Sequence, residues 1–172
     1  ATFRMIENLG KSIKRRFLIG DIRDKDRLIH AMKDIDIVYH AAALKHVPLC
    51  ERNPFDAIKT NVLGTQNIVE AALINGVEKV INISTDKAVN PINTMGATKL
   101  LAEKLIIDAE FYKGDAETVF SCVRFGNVMF SRGSVIPLFE QQIKNKKMIT
   151  ITDPEMTRFM MSINDTVNLV FK

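Results

Sequence analysis

Short apolar runs alternate with longer helical segments along this 172-residue chain, and that alternation is the strongest constraint on its fold. The run at residues 80–83, VINI, is rich in β-branched side chains, and such a run is typical of a strand covered on both faces. Strands that alternate with helices form parallel sheets with right-handed crossovers. The sequence therefore predicts an α/β fold with a doubly wound parallel sheet.

The predicted elements follow one another without repeats or low-complexity segments. Strands are predicted at residues 17–19, 35–40, 77–83, 119–125 and 148–152. Helices are predicted at residues 25–32, 54–75, 98–113 and 135–144, and a last helix begins at Ser162 or Asn164. Pro54 suits a first helical turn and Gly76 suits a left-handed cap, so residues 54–75 are expected to form one continuous helix.

Both ends of the sequence look cut. The chain opens with a helix-like stretch at residues 5–14, and none of its eight glycines forms the G-x-G-x-x-G turn that opens a dinucleotide-binding fold of this class. Its last residues, Phe171 and Lys172, continue a helical pattern that has no cap. We expect a piece of a longer protein that lacks its first βαβ unit and its C-terminal end.

Composition narrows the classes of function. Basic clusters at residues 11–16 and 144–147 lack interleaved aromatic side chains, so solvated helix ends are favoured over a nucleic-acid site. No apolar run approaches the roughly 20 residues of a membrane span, which favours a cytoplasmic protein without direct membrane contact. Cys50 and Cys122 have no metal-ligand or redox spacing, so reduced thiols and no metal site are expected.

A polar cluster follows the apolar run at residues 80–83. Ser84, Thr85, Asp86 and Lys87 place hydroxyl, carboxylate and amine groups where a strand ends. Ligands of open α/β sheets bind outside the carboxyl ends of the strands. The cluster is therefore a candidate site, although a surface ion pair between Asp86 and Lys87 is the simpler alternative.

Six stretches in order carry a resemblance to a known family. They are GDIRD (20–24), HAAALKHVPLCE (40–51), KTNVLGT (59–65), STDKAVNPINTMGATK (84–99), RFGNVMFSRGSVIPLF (124–139) and ITDPEMTRFMM (151–161). Together they resemble the extended short-chain dehydrogenase/reductase superfamily, and within it the inverting UDP-N-acetylglucosamine 4,6-dehydratases and related capsular polysaccharide-synthesis enzymes. The resemblance implies a Rossmann-like sheet, with residues 1–172 as a partial NAD(P)-binding domain and residues 126–172 contributing to the substrate-binding region.

The resemblance also implies a cofactor, NADP or alternatively NAD. Asp21 and Ile22 would border the adenine, Lys45 would lie near cofactor or substrate phosphates, and Lys99 would bind the nicotinamide ribose. Asn61 would support the site from within a helix, with a solvent-facing asparagine as the alternative. The small residues after a predicted strand would let the cofactor approach the backbone closely, although packing also selects alanine: Ala41, Ala42 and Ala43.

By the same resemblance, the catalytic residues are Thr85, Asp86, Lys87 and Lys99. Thr85 would orient the 4-hydroxyl of the sugar. Asp86, with a raised pKa, would protonate the leaving C6 hydroxyl, and Lys87, if desolvated, would take the C5 proton. The family's usual tyrosine four residues before Lys99 is replaced by Met95, which has no ionisable proton, so the C4-hydroxyl base stays open.

The resemblance assigns the substrate as a UDP-sugar. Lys45 and Thr85 would contact it, and its diphosphate would be held by Asn127, Arg132 and Arg158, because guanidinium groups fit phosphate oxygens. Relatives are usually symmetric assemblies, so a homo-oligomer, a hexamer by resemblance, is expected. A cytoplasmic location fits a nucleotide-sugar substrate, and the segment could belong to a larger membrane protein.

Two other functions stay open at this point. A UDP-sugar epimerase on the same scaffold would not need an Asp–Lys pair for elimination at C6, although a C5 epimerase would use Lys87. A non-catalytic nucleotide-binding module is favoured by Met95 and by the absent glycine-rich turn.

Overall fold

The computed structural model describes residues 16–131 and 133–172. The predicted helix at residues 5–14, most of the first basic cluster and Arg132 lie outside the described residues. The helices are α1 (Lys25–Ala31), α2 (Val47–Arg52), α3 (Pro54–Ala57), α4 (Gly64–Asn75), α5 (Thr94–Tyr112), α6 (Val135–Lys144) and α7 (Ile163–Val170). The strands are β1 (Ile37–His40), β2 (Lys79–Ile83), β3 (Val119–Val123), β4 (Asn127–Val128) and β5 (Met160–Met161).

The first three strands form a parallel sheet in the order β1-β2-β3. Helix α4 connects β1 to β2, and α5 connects β2 to β3. Each connection is a βαβ crossover, and since such crossovers are right-handed, two steps in the same direction place both helices on one face of the sheet. This is the predicted α/β architecture.

The core lies between that face of the sheet and the helices. Val80 at the centre of β2 is fully buried, and Ile106 of α5 and Ile68 of α4 pack in the same cluster. On the other face Ile37 and Tyr39 of β1 are more than 40% exposed. Ile81 and Ile83 of β2 lie on this second face and are partly buried, so the expectation of a strand covered on both faces is met only in part among the described residues, because both crossover helices pack on the opposite side.

The predicted continuous helix at residues 54–75 changes its winding in the middle. A π-helical segment, Ile58–Leu63, separates α3 from α4. Wider π turns are rare and are found most often at functional sites. Here the segment contains the buried Asn61. The helix ends as predicted at Gly76, which is left-handed with φ of 63°.

Helix α5 begins four residues before the predicted start at residue 98. Asn93 is its N-cap, and the Asn93 side chain accepts a hydrogen bond of 2.8 Å from the Gly96 N–H. Glu51 accepts another bond, of 2.5 Å, from the Thr94 N–H. Asn93 therefore begins a helix and does not form part of the predicted turn. The two acceptors bind N–H groups that the first turn of a helix leaves without partners.

Two predicted strands are not strands in the structure. Residues 17–19 and 148–152 are irregular, because a strand is defined by a regular ladder of hydrogen bonds to a neighbouring strand and neither segment belongs to such a ladder among the described residues. Two short strands were not predicted. Asn127 and Val128 of β4 pair in parallel with Met160 and Met161 of β5.

The two helices in the last third of the chain follow their sequence signals. Helix α6 covers the predicted residues 135–144, and Ser162 caps α7 by accepting a bond from the Asp165 N–H. Throughout the described residues, the helices are too short or too polar to cross a bilayer.

The cap of α5 gives a first test. Replacing Asn93 with alanine removes the acceptor for the Gly96 N–H, and we expect the free energy of unfolding to fall by about 1 kcal/mol. Asn93→Asp keeps an acceptor and adds a negative charge at a helix N-terminus, so it should be close to neutral. Urea denaturation of both variants measures the difference, and equal losses in the two would contradict the capping role.

Candidate active site

The candidate site lies where the three parallel strands end. After β2 the chain stays beside β3, because the Ser84 N–H donates to Val123 O at 2.8 Å and the Asp86 N–H donates to Phe125 O at 3.0 Å. These bonds hold the predicted polar cluster at the carboxyl edge of the sheet, where ligands of this fold class bind. The cluster then turns into a single 3-10 turn, Asp86–Ala88.

The side chains of this turn form a connected hydrogen-bond network. Thr85 Oγ1 donates to Asp86 Oδ1 at 3.0 Å. Lys87 Nζ donates to the same oxygen at 3.0 Å and to Asn127 Oδ1 at 2.9 Å. The side chains of Asp86 and Lys87 are 29% and 35% exposed. A carboxylate, an ammonium and a hydroxyl therefore share one partly buried edge, with Asn127 joining them from β4.

Asp86 is ionised in this arrangement. Burial acts to raise the pKa of its carboxyl group, but hydrogen bonds from Lys87 and Thr85 together with the Lys87 charge outweigh that effect and lower the pKa. The expectation of a raised pKa at Asp86 is therefore not met here, because its neighbours stabilise the carboxylate.

Lys99 lies on the adjacent helix and is buried. It is the sixth residue of α5, it is 7% exposed, and its Nζ donates to Ile83 O at 2.5 Å. Burial lowers the pKa of this ammonium group, and the nearby Cys122 and Glu103 oppose that effect. Lys99 thus holds the last residue of β2 directly before Ser84.

Met95 contributes packing. It is 5% exposed and belongs to an apolar cluster with Cys50 and Ala57, against which Val47 packs. Its thioether has no proton to exchange. Any acceptor for a substrate hydroxyl proton must therefore come from other residues at the strand ends.

Gly96 brings α5 unusually close to the polar turn. A Cβ atom at this position would lie 2.4 Å from Lys87 O, a backbone atom that cannot move independently of the turn. Only glycine leaves room for that approach, and the Asp86–Ala88 turn can therefore lie directly against the first turn of α5.

Asn61 supports the loop that follows β1. Its Oδ1 accepts from the Leu44 N–H at 2.8 Å, and its Nδ2 donates to Leu44 O and to Thr98 Oγ1, each at 3.0 Å. The side chain is 1% exposed, so the alternative of a solvent-facing asparagine is wrong. Asn61 fixes the loop 41–46 to helix α5.

The predicted cofactor residues differ in exposure and in surroundings. Ala41, Ala42 and Lys45 are exposed after β1, and Ala43 is half-buried. Ile22 packs under Gly64, where a Cβ atom would lie 2.5 Å from its Cδ1. Asp21 is paired with Arg23, and hydrogen bonds from Arg23 lower the pKa of the Asp21 carboxyl to about 2.

Of the two predicted diphosphate arginines, only Arg158 lies in the described part of the chain, and it is not joined to this network. Arg158 is exposed and donates to Thr157 O at 2.8 Å, with no bond to residues 84–87 in the described part of the chain. Arg132 lies outside the described residues, but Gly133 beside it approaches His46, where a Cβ atom would lie 2.6 Å from the imidazole Cε1. Gly133 therefore lies against the end of the loop after β1.

Two residues near the site, Glu103 and Arg124, were missed by sequence reasoning. Glu103, one helical turn after Lys99, accepts hydrogen bonds from Ser84 Oγ and from the Arg124 guanidinium. A buried glutamate at helical spacing from a buried lysine is the signal that was available in the sequence. The sequence did not indicate that Ser84 and Arg124, which follow β2 and β3, are the partners of Glu103, since their proximity depends on the register of the sheet.

A further missed residue, His40, is the last residue of β1 and is buried. His40 Nε2 lies 3.0 Å from Thr65 Oγ1, which itself donates to Asn61 O at 2.7 Å. Thr65 uses its only proton in that second bond, so His40 Nε2 carries the proton between them. In the sheet register His40 of β1 lies beside Asn82 of β2, and Asn82 lies beside Cys122 of β3. These three side chains form a polar row across the helix-covered face of the sheet.

The close approach at Gly96 predicts a large effect of a small substitution. Gly96→Ala should push the Lys87 backbone away and reduce the free energy of unfolding by about 1–3 kcal/mol. The matched control is Gly20→Ala, whose added Cβ meets only the flexible Arg27 side chain. Urea denaturation should separate the two variants, and equal stabilities would rule out the steric argument.

Burial of His40 predicts a pH dependence of stability. Burial and the nearby Lys99 charge lower the pKa of His40 to about 4 in the folded state, against 6.5 for an ordinary histidine. As pH falls through this interval, the unfolded chain binds a proton that the folded chain does not. The free energy of unfolding should therefore fall with pH, by up to about 3 kcal/mol.

His40→Gln keeps a donor for Thr65 but does not titrate, so it should lose this part of the pH dependence. Urea midpoints measured across the interval for both proteins provide the comparison. Parallel curves for the two proteins would contradict the assignment.

The residues at this edge fit part of a nicotinamide dinucleotide site. The small side chains after β1 leave the backbone accessible, and the buried Lys99 ammonium suits ribose hydroxyl groups. The glycine-rich turn that cradles a pyrophosphate in this fold class is not part of the sequence. The described residues therefore offer groups that suit a ribose and a close backbone approach, without the pyrophosphate-binding turn.

Comparison with known proteins places these features in a family. A family model described as "Polysaccharide biosynthesis protein" matches residues 3–172. The chain is 62% identical over 97% of its length to an uncharacterized membrane protein of Methanocaldococcus jannaschii, 57% identical over 91% to a UDP-glucose 4-epimerase of Rickettsia bellii, and 53% identical over 90% to an inverting UDP-N-acetylglucosamine 4,6-dehydratase of Campylobacter jejuni. It spans 50%, 46% and 47% of these three relatives.

Two solved structures are also similar to this chain. Pen from Bacillus thuringiensis is 53% identical with a TM-score of 0.93, and the match covers 99% of this chain and 54% of Pen. MoeE5 in complex with UDP-glucose and NAD is 26% identical with a TM-score of 0.79, over 91% of this chain and 57% of MoeE5. The chain thus belongs to the polysaccharide biosynthesis protein family of extended short-chain dehydrogenases/reductases, which includes nucleotide-sugar dehydratases and epimerases.

Proposed function

We propose that the complete protein is a nucleotide-sugar 4,6-dehydratase that acts on UDP-N-acetylglucosamine with inversion at C5, in surface polysaccharide biosynthesis. The observation that carries the proposal is the Thr85–Asp86–Lys87 network. In it the Thr85 hydroxyl and the Lys87 ammonium group both donate to one carboxylate oxygen of Asp86, and the buried Lys99 lies nearby on α5. Elimination of water needs an acid and a base at adjacent sugar carbons, and this pair supplies both.

A nicotinamide cofactor, NADP or NAD, would supply reversible hydride transfer, so that the reaction has no net redox change. Lys99 would bind the ribose of this cofactor. The small side chains of Ala41, Ala42 and Ala43 would let the cofactor approach the protein backbone closely. Asp21 and Ile22 would border the adenine, and Asn61 would support the site by holding the loop after β1. The family context and the fit of these residues support this assignment.

The 4-hydroxyl proton of the sugar would pass through Thr85 Oγ1 to Asp86 Oδ1. Three observations support this route: Thr85 already donates to that oxygen, the pKa of Asp86 is lowered so that the carboxylate is available as a base, and Met95 lies in an apolar cluster. The route answers the question left open by the missing tyrosine.

The later proton transfers use the same pair. Lys87, after loss of one proton to solvent, takes the C5 proton from the 4-keto sugar. Asp86 then gives the proton it gained to the C6 hydroxyl, which leaves as water. The cofactor would supply the hydride that C6 receives. Lys87 would release its proton to solvent, and a solvent-derived proton would add to C5 on the opposite face, which inverts this centre. The sum is the loss of one water molecule.

The segment at residues 126–172 would contribute to substrate binding. Asn127 joins the site through Lys87, and Gly133 lies against His46 in the loop after β1, which also carries Lys45. Arg132 and Arg158 would hold the diphosphate. We expect the complete protein to be a cytoplasmic enzyme or the cytoplasmic part of a membrane protein, and to form a homo-oligomer, with a hexamer expected from the family resemblance.

A UDP-sugar 4-epimerase is the second candidate, because relatives with that name are 57% identical to this chain. A 4-epimerase returns hydride to C4 and loses no water. The Asp86–Lys87 pair at the strand end favours the dehydratase, since 4-epimerisation gives neither group a substrate proton at C5 or C6.

Incubation of the complete protein with UDP-N-acetylglucosamine and NADP or NAD in deuterium oxide tests the proposal. The dehydratase should give a product lighter by one water that carries deuterium at C5, observed by mass spectrometry and NMR. A product of unchanged mass would indicate an epimerase. No product from protein with bound cofactor would favour the non-catalytic module.

Lys87→Ala should reduce turnover by about 10²–10⁴-fold and abolish deuterium incorporation at C5. Lys79→Ala, at an exposed position of β2, is the control and should retain both. Retained incorporation in Lys87→Ala would remove this lysine from its assigned role.

A further inference from the structure

Glu103 is a buried carboxylate for which the proposed reaction has no use. It is 3% exposed, and it lies one helical turn after Lys99 on the face of α5 that covers the sheet. Burying a carboxylate is costly unless it is paired and hydrogen-bonded. Its partners therefore indicate why it is there.

Those partners come from two neighbouring strand ends. Ser84 Oγ, directly after β2, donates to Glu103 Oε1. Arg124, directly after β3, donates through Nε to Oε1 at 2.8 Å and through Nη2 to Oε2 at 2.5 Å. This two-bond geometry is the strong form of a carboxylate–guanidinium pair. One helix side chain thus connects the ends of two strands.

The connection acts at the residues that precede the polar turn. Lys99 holds Ile83 through its carbonyl oxygen, and Glu103 holds Ser84 through its hydroxyl. Thr85 follows immediately. The backbone that aims Thr85, Asp86 and Lys87 is therefore fixed by two consecutive contacts from one face of α5.

The same pair sets the charge balance around Lys99. The groups that face Lys99 are His40 from β1, Cys122 from β3 and Glu103 from its own helix, with Arg124 next to Glu103. At neutral pH, burial keeps His40 uncharged, and burial raises the pKa of the Cys122 thiol. Glu103 and Arg124 are then the charged groups in this set.

We propose that Glu103 and Arg124 are positioning residues of the candidate site: their ion pair fixes the end of β2 through Ser84, and its charge balance controls the protonation of Lys99. Glu103 stabilises the Lys99 ammonium, and Arg124 weakens that effect by neutralising Glu103. The two residues therefore act on Lys99 in opposite directions. The proposal concerns the charge of Lys99 in the protein itself and is independent of the sugar reaction.

The opposite signs give the test. In the complete protein labelled with [¹³Cε]lysine, NMR titration follows the Lys99 signal, assigned by its loss in Lys99→Arg. Glu103→Gln keeps an acceptor for Ser84 but removes the negative charge, and it should lower the pKa of Lys99 by roughly one pH unit. Arg124→Gln leaves Glu103 unneutralised and should raise that pKa by a similar amount.

Ser84→Ala tests the mechanical part separately. It removes the hydroxyl bond and leaves both charges, so the pKa of Lys99 should stay unchanged. Amide hydrogen exchange at residues 84–87 should become faster by about fivefold or more, because the end of β2 loses a contact worth about 1 kcal/mol.

Glu110→Gln is the matched control on the same helix, since Glu110 is paired with Lys113 near the helix end. It should leave the Lys99 titration unchanged. Shifts in the same direction for Glu103→Gln and Arg124→Gln, or no shift in either folded variant, would overturn the electrostatic part. Unchanged exchange in Ser84→Ala would overturn the mechanical part. If Glu103→Gln does not fold, Arg124→Gln, at a half-exposed position, still tests the direction of the Lys99 pKa shift.

Discussion

The packing of helix α5 on the carboxyl ends of the strands is the interaction on which the rest of the site depends. One buried face of this helix carries polar side chains where a core helix usually carries apolar ones. Thr98 binds Asn61 and thereby the loop after β1, Lys99 binds the end of β2, and Glu103 binds residues that follow β2 and β3. Burying these groups costs desolvation energy that their hydrogen bonds offset. The result is a rigid edge of the sheet with its polar groups aimed outward.

That edge explains how the site can lack the usual tyrosine. Met95 fills an apolar gap between α5 and the segment around Cys50 and Ala57, while the titratable groups lie on the turn after β2. In the proposed reaction Asp86 would act first as a base, since hydrogen bonds from Lys87 and Thr85 keep its carboxyl group ionised. A carboxylate that begins as a base and becomes an acid after the first proton transfer needs no raised pKa at rest. This order of events reconciles the acid role expected of Asp86 with its surroundings.

The family relationship and the site answer different questions. Dehydratases and epimerases both occur among relatives more than half identical to this chain, so the scaffold alone does not select the reaction. What distinguishes them physically is where protons are taken and given. The Asp86–Lys87 pair, the supporting Asn127 and the buried Lys99 are therefore more informative about chemistry than overall similarity.

The sequence by itself determined the α/β class, most helices, the cap at Gly76, the polar turn at residues 84–87 and the family, because these depend on local periodicity, turn chemistry and motifs. Only the tertiary structure decided that residues 17–19 and 148–152 are not strands and that β4 and β5 are, since pairing requires partners distant in sequence. It also decided the burial of Asn61, the ionised state of Asp86 and the contacts of Glu103. Burial and charge stabilisation arise from neighbours that the register of the sheet brings together, and no local pattern in the sequence encodes that register.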